Sequence, residues 1–312
     1  MEQFVGQGIQ IELNFFKPDD DMMLARLARR WLVEARDQLL SEPIDRITQA
    51  PPLPTRSLSR HLGSFGEPGT PWGSVIFRPR ERRKQTSLYA WSEKSWQRLI
   101  TRLDERPRSV EVRLSELGRG GMPGAGDYYE VAVTADEEAD AGWVRLRGRV
   151  QQTKRLTLND WDHLAARWAA FFTDFASSVE LTIAFGYVAD DTTLSESRTP
   201  FELAADFMME EVLPGGLLRG YSWITVAGPE ATARMGGAEE LAESGAFKTV
   251  ETLGTGSTIL TATERISEYN ASRWEKVFQA VAPALPPGQL KASSYIVPAK
   301  LVYKDATDAL WG

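Results

Sequence analysis

The chain has 312 residues, 42% of them apolar and 25% charged, which is ordinary for a globular protein and long enough for two domains. It contains no cysteine, which excludes thiolate nucleophiles, disulfides and cysteine-ligated zinc. The lack of cysteine and of an N-terminal signal pattern favours a cytoplasmic location. No apolar run approaches the roughly 20 residues of a membrane span, so we expect no membrane association.

Charge is divided unevenly along the chain. Residues 1–156 carry 25 Lys and Arg against 22 Asp and Glu, whereas residues 157–312 carry 11 against 21. An acidic surface repels phosphate backbones and attracts basic partners, although it can also serve solubility alone. The change of sign predicts an N-terminal subdomain over 1–156 and an acidic C-terminal subdomain over 157–312.

The N-terminal half alternates strand and helix patterns. Alternating apolar residues predict a strand over 8–16, and acids after Pro18 predict the start of a helix that ends near residue 40. The proline-rich segment 41–73 predicts a long loop or arm. Beyond it the sequence predicts strands over 74–77, 87–91, 110–114, 129–133 and 143–150, a helix over 93–105 capped by Ser92, and a glycine-rich loop over 118–127.

The C-terminal half continues the same mixture. Thr157 is placed to cap a helix over 158–175. The later pattern predicts strands over 178–188 and 221–227, helices over 199–212 and 268–282, a helical segment from Pro229 broken at Gly236-Gly237 and ended by Gly245, and a hairpin of 247–253 with 257–263. The expected fold class is α+β, with two subdomains of helices and antiparallel sheet. A similar helix–strand order at 109–114 and 178–183 suggests that the subdomains arose by duplication.

The sequence offers little for catalysis. It has neither a G-x-S-x-G nucleophile elbow nor a glycine motif for phosphate binding. Its two histidines, His61 and His163, are far apart, and the acidic run 19–21 suits a helix start better than a hard cation. We therefore expect a non-enzymatic protein with no catalytic residues, no metal and no cofactor.

The turn at 78–84 is the most basic segment of the chain. Arg80, Arg82, Arg83 and Lys84 lie close in sequence to four aromatic residues, so they could follow a nucleic-acid backbone while the rings stack on bases. Because the cluster stands alone in an acidic chain, a solvated turn is the favoured interpretation. Nucleic-acid binding through these four residues is kept as an alternative, and nucleic acid is not the expected partner.

Residues 218–287 form the best-patterned block. Residues 218–223 read LRGYSW, Met235-Gly236-Gly237 precedes an acidic helix, and a hairpin and a helix ending in APALP at 282–286 follow. In these motifs the block resembles the type VI immunity family of bacterial proteins (the DUF3396 group). The resemblance implies a protein that binds and neutralises a cognate bacterial toxin by stoichiometric occlusion, without catalysis of its own.

The expected contact surface for such a partner is acidic, because immunity by occlusion depends on surface complementarity. Gly236 and Gly237 are expected to form a turn with positive φ, and Trp223 to pack in the core, so none of them is expected to contact the partner. The candidate partner-binding residues are Asp190, Asp191, Glu196, Glu210, Glu211, Glu239, Glu240 and Glu243.

A second alternative is a structural component of a larger protein assembly. The proline-rich arm 41–73 motivates it, because an extended segment of that length can lie across a neighbouring subunit.

Overall fold

Helices and antiparallel strands alternate along the chain in the computed structural model, which describes residues 7–16, 21–50, 63–81, 83–136, 142–154, 156–190, 201, 216–290 and 301–310. These residues form ten β-strands and seven α-helices. Every strand pair described below is antiparallel. The predicted α+β class is therefore confirmed.

By its internal contacts the chain divides into two compact units. The N-terminal unit is Lys17–Arg155, and the C-terminal unit combines Met1–Phe16 with Leu156–Gly312. The division at 155/156 lies one residue from the predicted border. The first strand, β1 (Gln7–Phe16), nevertheless belongs to the C-terminal unit, where it pairs along its length with a strand that begins at Ile183. The predicted border at residue 156 had assigned this strand to the N-terminal subdomain.

In its described residues, the N-terminal unit packs three helices against five strands. The helices are α1 (Asp21–Gln38), α2 (Ser41–Gln49) and α3 (Glu93–Arg102). The strands are β2 (Pro71–Arg78), β3 (Ser87–Ala90), β4 (Ser109–Leu117), β5 (Pro123–Asp136) and β6 (Trp143–Gln152), in the order β3-β2-β4-β5-β6.

Alternation along these strands separates an apolar face from a charged one. Leu24 and Ala28 of α1 line a small cavity together with Val110 and Val133, so α1 covers the face that carries the valines. Because side chains in a strand point alternately to opposite faces, the charged residues between the valines occupy the other face.

Two loops predicted in this unit are partly wrong. Residues 41–49 form α2 instead of an arm, with Pro43 and Ile44 buried. Proline is tolerated there because the first turn of a helix has no use for its missing N–H. Residues 51–62 of the predicted arm lie outside the described residues, and Trp72 is buried in β2. The glycine-rich loop is also shorter than predicted, since β5 begins at Pro123 and pairs irregularly with the end of β4.

Within the described residues, the C-terminal unit contains β1, four further strands and four helices. In chain order these are α4 (Leu158–Ser178), β7 (Ile183–Asp190), β8 (Ile224–Ala227), α5 (Pro229–Arg234), α6 (Ala238–Glu243), β9 (Thr249–Thr252), β10 (Thr258–Thr261) and α7 (Ala271–Val281). The strand order is β1-β7-β8-β10-β9. Phe172 of α4 lies beside Gly186 and Leu13, so α4 covers the face of β1 and β7 that carries Leu13.

Helix starts agree well with the sequence. The side chain of Ser92 accepts a hydrogen bond from Ser95 N within a capping box, and Thr157 accepts one from Asp160 N. The strand predicted from 178 instead begins at Ile183, because α4 continues to Ser178. Residues 178–183 therefore do not match 109–114, which lie in β4, although a helix precedes a strand in both places, and duplication stays a prediction. The helix predicted over 199–212 lies outside the described residues except at Phe201.

Candidate functional site

Five exposed glutamates of the C-terminal unit lie on α5, α6 and β9. Residues 229–252 carry five glutamates against Arg234 and Lys248, and Lys248 is bound to Glu264 at 2.9 Å. Helix α6 packs against β9, which brings the acids of the two elements together. We call this region the acidic surface; its members, all exposed, are Glu230, Glu239, Glu240, Glu243 and Glu251.

A glycine pair sets the direction of α6. Gly236 and Gly237 have φ values of +89° and +94°, which confirms the predicted turn, and Gly237 N donates to Thr232 O at 2.9 Å. A Cβ on Gly236 would clash with a carboxylate oxygen of Glu240. Leu241 is buried beneath the helix. The glycine turn sets the direction of α6, and buried Leu241 keeps one side of the helix against the core. The three glutamates of α6 are therefore exposed on a fixed backbone.

The other predicted acids are not brought to this surface by the described structure. Asp190 is half-buried at the end of β7, where it pairs with Ile9 of β1. Strands β8 and β10 lie between β7 and β9, a separation of about 14 Å at the usual strand spacing. The remaining four candidates, Asp191, Glu196, Glu210 and Glu211, lie outside the described residues.

The basic turn joins β2 to β3 in the N-terminal unit. Arg80, Arg83 and Lys84 are exposed there, Arg82 lies outside the described residues, and Lys84 binds Glu81 at 2.7 Å. Helix α3 packs beside β2 and brings Arg98 and Arg102, whose guanidinium groups lie 4.9 Å and 3.7 Å from the ring centroids of Tyr89 and Phe77. The expectation that this cluster is isolated is therefore wrong.

The charged face of the N-terminal sheet centres on Glu130. This carboxylate is 1% exposed and accepts hydrogen bonds from Arg147 and from the Tyr128 hydroxyl, while Arg113 Nε lies 3.3 Å away. Burial raises the pKa of Glu130, but Arg147, Tyr128 and Arg113 together bring that pKa below its usual value. Burial and the Glu130 charge raise the pKa of Tyr128. At neutral pH the carboxylate is ionised and the phenol is protonated.

A second buried ion pair ties the C-terminal unit together. Arg219 Nη1 donates to Glu12 Oε1 at 3.0 Å, Asn14 donates to the same oxygen at 2.9 Å, and both charged residues are almost fully buried. Trp223, buried as expected, donates from its indole N–H to Thr263 O at 3.1 Å. The LRGYSW segment is thus fixed to β1 and to the residues after β10.

Sequence reasoning missed both buried networks. The sequence did contain a signal for them: polar residues occupy every second position of β1, β4, β5 and β6. Such positions share one face of a sheet, so their side chains can form a network. The partners across strands could not be assigned without the strand order.

Within the described ranges, no group of three or more His, Cys, Asp and Glu side chains is arranged to hold a metal ion. None of the helices described there is long and apolar enough to cross a bilayer. Neither a protein-family model nor a curated protein matches the sequence. The function must therefore be inferred from the surfaces of the chain itself.

Proposed function

We propose that this chain is a non-enzymatic, immunity-type protein that binds and neutralises a cognate bacterial toxin by stoichiometric occlusion. The observation that carries the proposal is the acidic surface. Its glutamates are exposed on a helix whose direction is fixed by the Gly236-Gly237 turn and whose underside is anchored by Leu241. A preset patch of one charge sign attracts a basic partner and speeds its capture.

The buried titratable groups support a binding role in a different way. Glu130 and Glu12 each form a buried ion pair with an arginine, and the pKa of Tyr128 is raised. A general acid or base works best with a pKa near the pH of the reaction. These groups instead serve as fixed ion pairs and hydrogen-bond partners inside their sheets, and the exposed charges are left to make contacts with a partner.

The alternative of a structural component in a larger assembly is less well supported than the binding role. It depended on an arm over 41–73, and α2 now occupies 41–49 while β2 begins at Pro71. An element packed on β2 is not available to lie across a neighbouring subunit. The acidic surface is the better-supported contact region.

The proposal is tested with the toxin encoded beside the gene of this chain. We expect the two purified proteins to form a one-to-one complex, and co-expression to restore bacterial growth. Combined replacement Glu239→Lys, Glu240→Lys and Glu243→Lys should slow association by about tenfold or more and reduce its dependence on salt. Surface plasmon resonance at several salt concentrations measures both effects.

A matched control reverses three exposed acids elsewhere in the C-terminal unit: Asp174→Lys, Glu180→Lys and Asp308→Lys. It changes the net charge equally, so it should keep most of the association rate and the protection. Absence of a complex with the unmodified chain, or an equal loss in both triple variants, would refute the proposal.

A further inference from the structure

The β2–β3 turn and helix α3 form a continuous cationic region of the N-terminal unit. Residues 78–108 contain ten Lys and Arg against four Asp and Glu, although the whole chain has a net charge of −7. We call this region the basic surface. Its exposed cations in the described residues are Arg80, Arg83, Lys84, Lys94, Arg98, Arg106 and Arg108.

Direct contacts join the turn to the helix. Arg102 of α3 donates to Ser87 Oγ of β3 at 3.3 Å. The pKa of Glu105 is lowered by the hydrogen bond from Arg102 and by the charges of Arg102, Lys84 and Arg98. The main chain adds a further link, since Arg108 N donates to Arg78 O at 2.9 Å. The strands that flank the turn are therefore in direct contact with α3 and with the segment that follows it.

The four acids of the basic surface are already engaged. Glu105 receives two hydrogen bonds from Arg102, and Glu81 is bound to Lys84. The other two are neutralised from outside the segment by α1, where Arg36 binds Glu93 at 2.7 Å and Arg29 binds Asp104 at 3.0 Å. Among the described residues no acid pairs with Arg83, Lys94 or Arg98, so the surface keeps an excess of exposed positive charge.

Aromatic rings hold the arginines in place. Arg98 lies over the half-buried ring of Tyr89 and Arg102 over the buried ring of Phe77. Arginine stacked on a ring loses less entropy when its guanidinium fork meets an oxyanion, and the planar fork matches phosphate geometry. The arrangement suits a ligand with repeated phosphate groups better than one with scattered carboxylates.

We infer that the basic surface binds the phosphate backbone of a nucleic acid, without reading its sequence. Duplex DNA presents one negative charge per roughly 1.7 Å of axis, a density that rewards several cations on one face. The acids elsewhere oppose this binding only weakly, because exposed charges are screened beyond about 8 Å at physiological salt. The inference is independent of the proposed function, which uses the acidic surface.

The test measures binding of the full chain to a labelled duplex of about 20 base pairs and to a single strand of about the same length, from ~50 to ~200 mM salt. Replacement of Arg83, Lys84 and Arg98 by alanine should weaken duplex binding about tenfold or more and reduce the log–log salt slope by about one for each phosphate contact removed. The charge-conserving variant Arg83→Lys, Lys84→Arg and Arg98→Lys should retain the slope.

The control replaces three exposed lysines outside the basic surface, Lys154→Ala, Lys248→Ala and Lys276→Ala, with the same change in net charge. It should leave the salt slope unchanged. The inference is overturned if the unmodified chain binds neither probe at the lowest salt, or if the control weakens binding as much as the surface triple does. It is also overturned if polyglutamate or anionic lipid vesicles displace the duplex at equal charge concentration.

Discussion

The two units carry their buried charges in different ways. In the C-terminal unit Glu12 and Arg219 form a pair whose side chains are 0% and 2% exposed. In the N-terminal unit Glu130 is as deeply buried, but its partners Arg147 and Arg113 are 12% and 28% exposed. The Glu12–Arg219 pair is shielded from water, so each charge depends on the other for compensation. The arginines around Glu130 are partly exposed and keep access to water. The same type of interaction should therefore contribute unequally to stability.

The largest effect is expected from the sealed pair. Arg219→Ala leaves the Glu12 carboxylate buried without its cation, which should reduce the free energy of unfolding by about 3–5 kcal/mol. Urea denaturation followed by circular dichroism measures the loss. The double variant Glu12→Gln with Arg219→Met removes both charges and should recover a large part of it. If the double variant were as unstable as Arg219→Ala, the buried charge would not be the cause.

A smaller effect is expected at Glu130. Glu130→Gln keeps the shape and an acceptor for the Tyr128 hydroxyl, and the arginines it leaves can turn toward water. The loss in unfolding free energy should be about 1–3 kcal/mol, measured in the same denaturation assay. A loss larger than that of Arg219→Ala would reverse the comparison between the two units.

The charge on Glu130 also predicts a dependence on pH. Its pKa in the folded chain lies below the usual 4.5. A carboxyl group with a depressed folded pKa stabilises the fold above its unfolded pKa, and this contribution is lost as the pH falls through the folded pKa. The difference in stability between the unmodified chain and Glu130→Gln should therefore be full at about pH 6 and shrink toward about pH 3. A constant difference across that range would contradict the assignment.

A substitution in the Gly236-Gly237 turn should reduce stability less than the variants at Arg219 and Glu130. Gly236→Ala puts a side chain at φ +89° and against the Glu240 carboxylate, with an expected cost of about 1–2 kcal/mol. The same variant should weaken binding to the partner by displacing Glu240. Gly254→Ala is the control, because no atom lies within 4 Å of its added Cβ, and thermal unfolding of both variants checks the difference.

The smallest effect is expected from an exposed pair. The Lys84 and Glu81 side chains are 62% and 66% exposed, so Lys84→Ala should change stability by less than about 0.5 kcal/mol. A loss above about 1 kcal/mol in urea denaturation would mean that the basic turn supports the fold, and would weaken its assignment as a binding surface.

Much of the local structure was predictable because its causes are local. Ser92 and Thr157 cap the helices that follow them, the Gly236-Gly237 turn has the expected positive φ, and alternation located most strands. The failures also have physical causes. Pro43 suggested a loop but lies in the first turn of α2, and α4 continued into residues with strand character because its apolar face stays buried to Ala176.

The candidate surfaces were predictable only in part. Glu239, Glu240 and Glu243 were identified as acids of the helix that follows Gly236-Gly237, and Arg83 and Lys84 from a run of like charges. Arg98 and Arg102 were not added to the basic turn, because their contribution depends on how α3 packs against β2. Which of these charged side chains are exposed also depends on how the chain packs, so the sequence alone did not show it.

The sequence by itself determined the α+β class, the helix starts and the charge of each half, since capping, periodicity and composition act over short stretches of chain. Only the tertiary structure decided which charges meet. Glu12 and Arg219 are 207 positions apart, and β1 joins the C-terminal unit by pairing with a strand that begins at Ile183. Such contacts follow from strand order and burial, which no local pattern encodes.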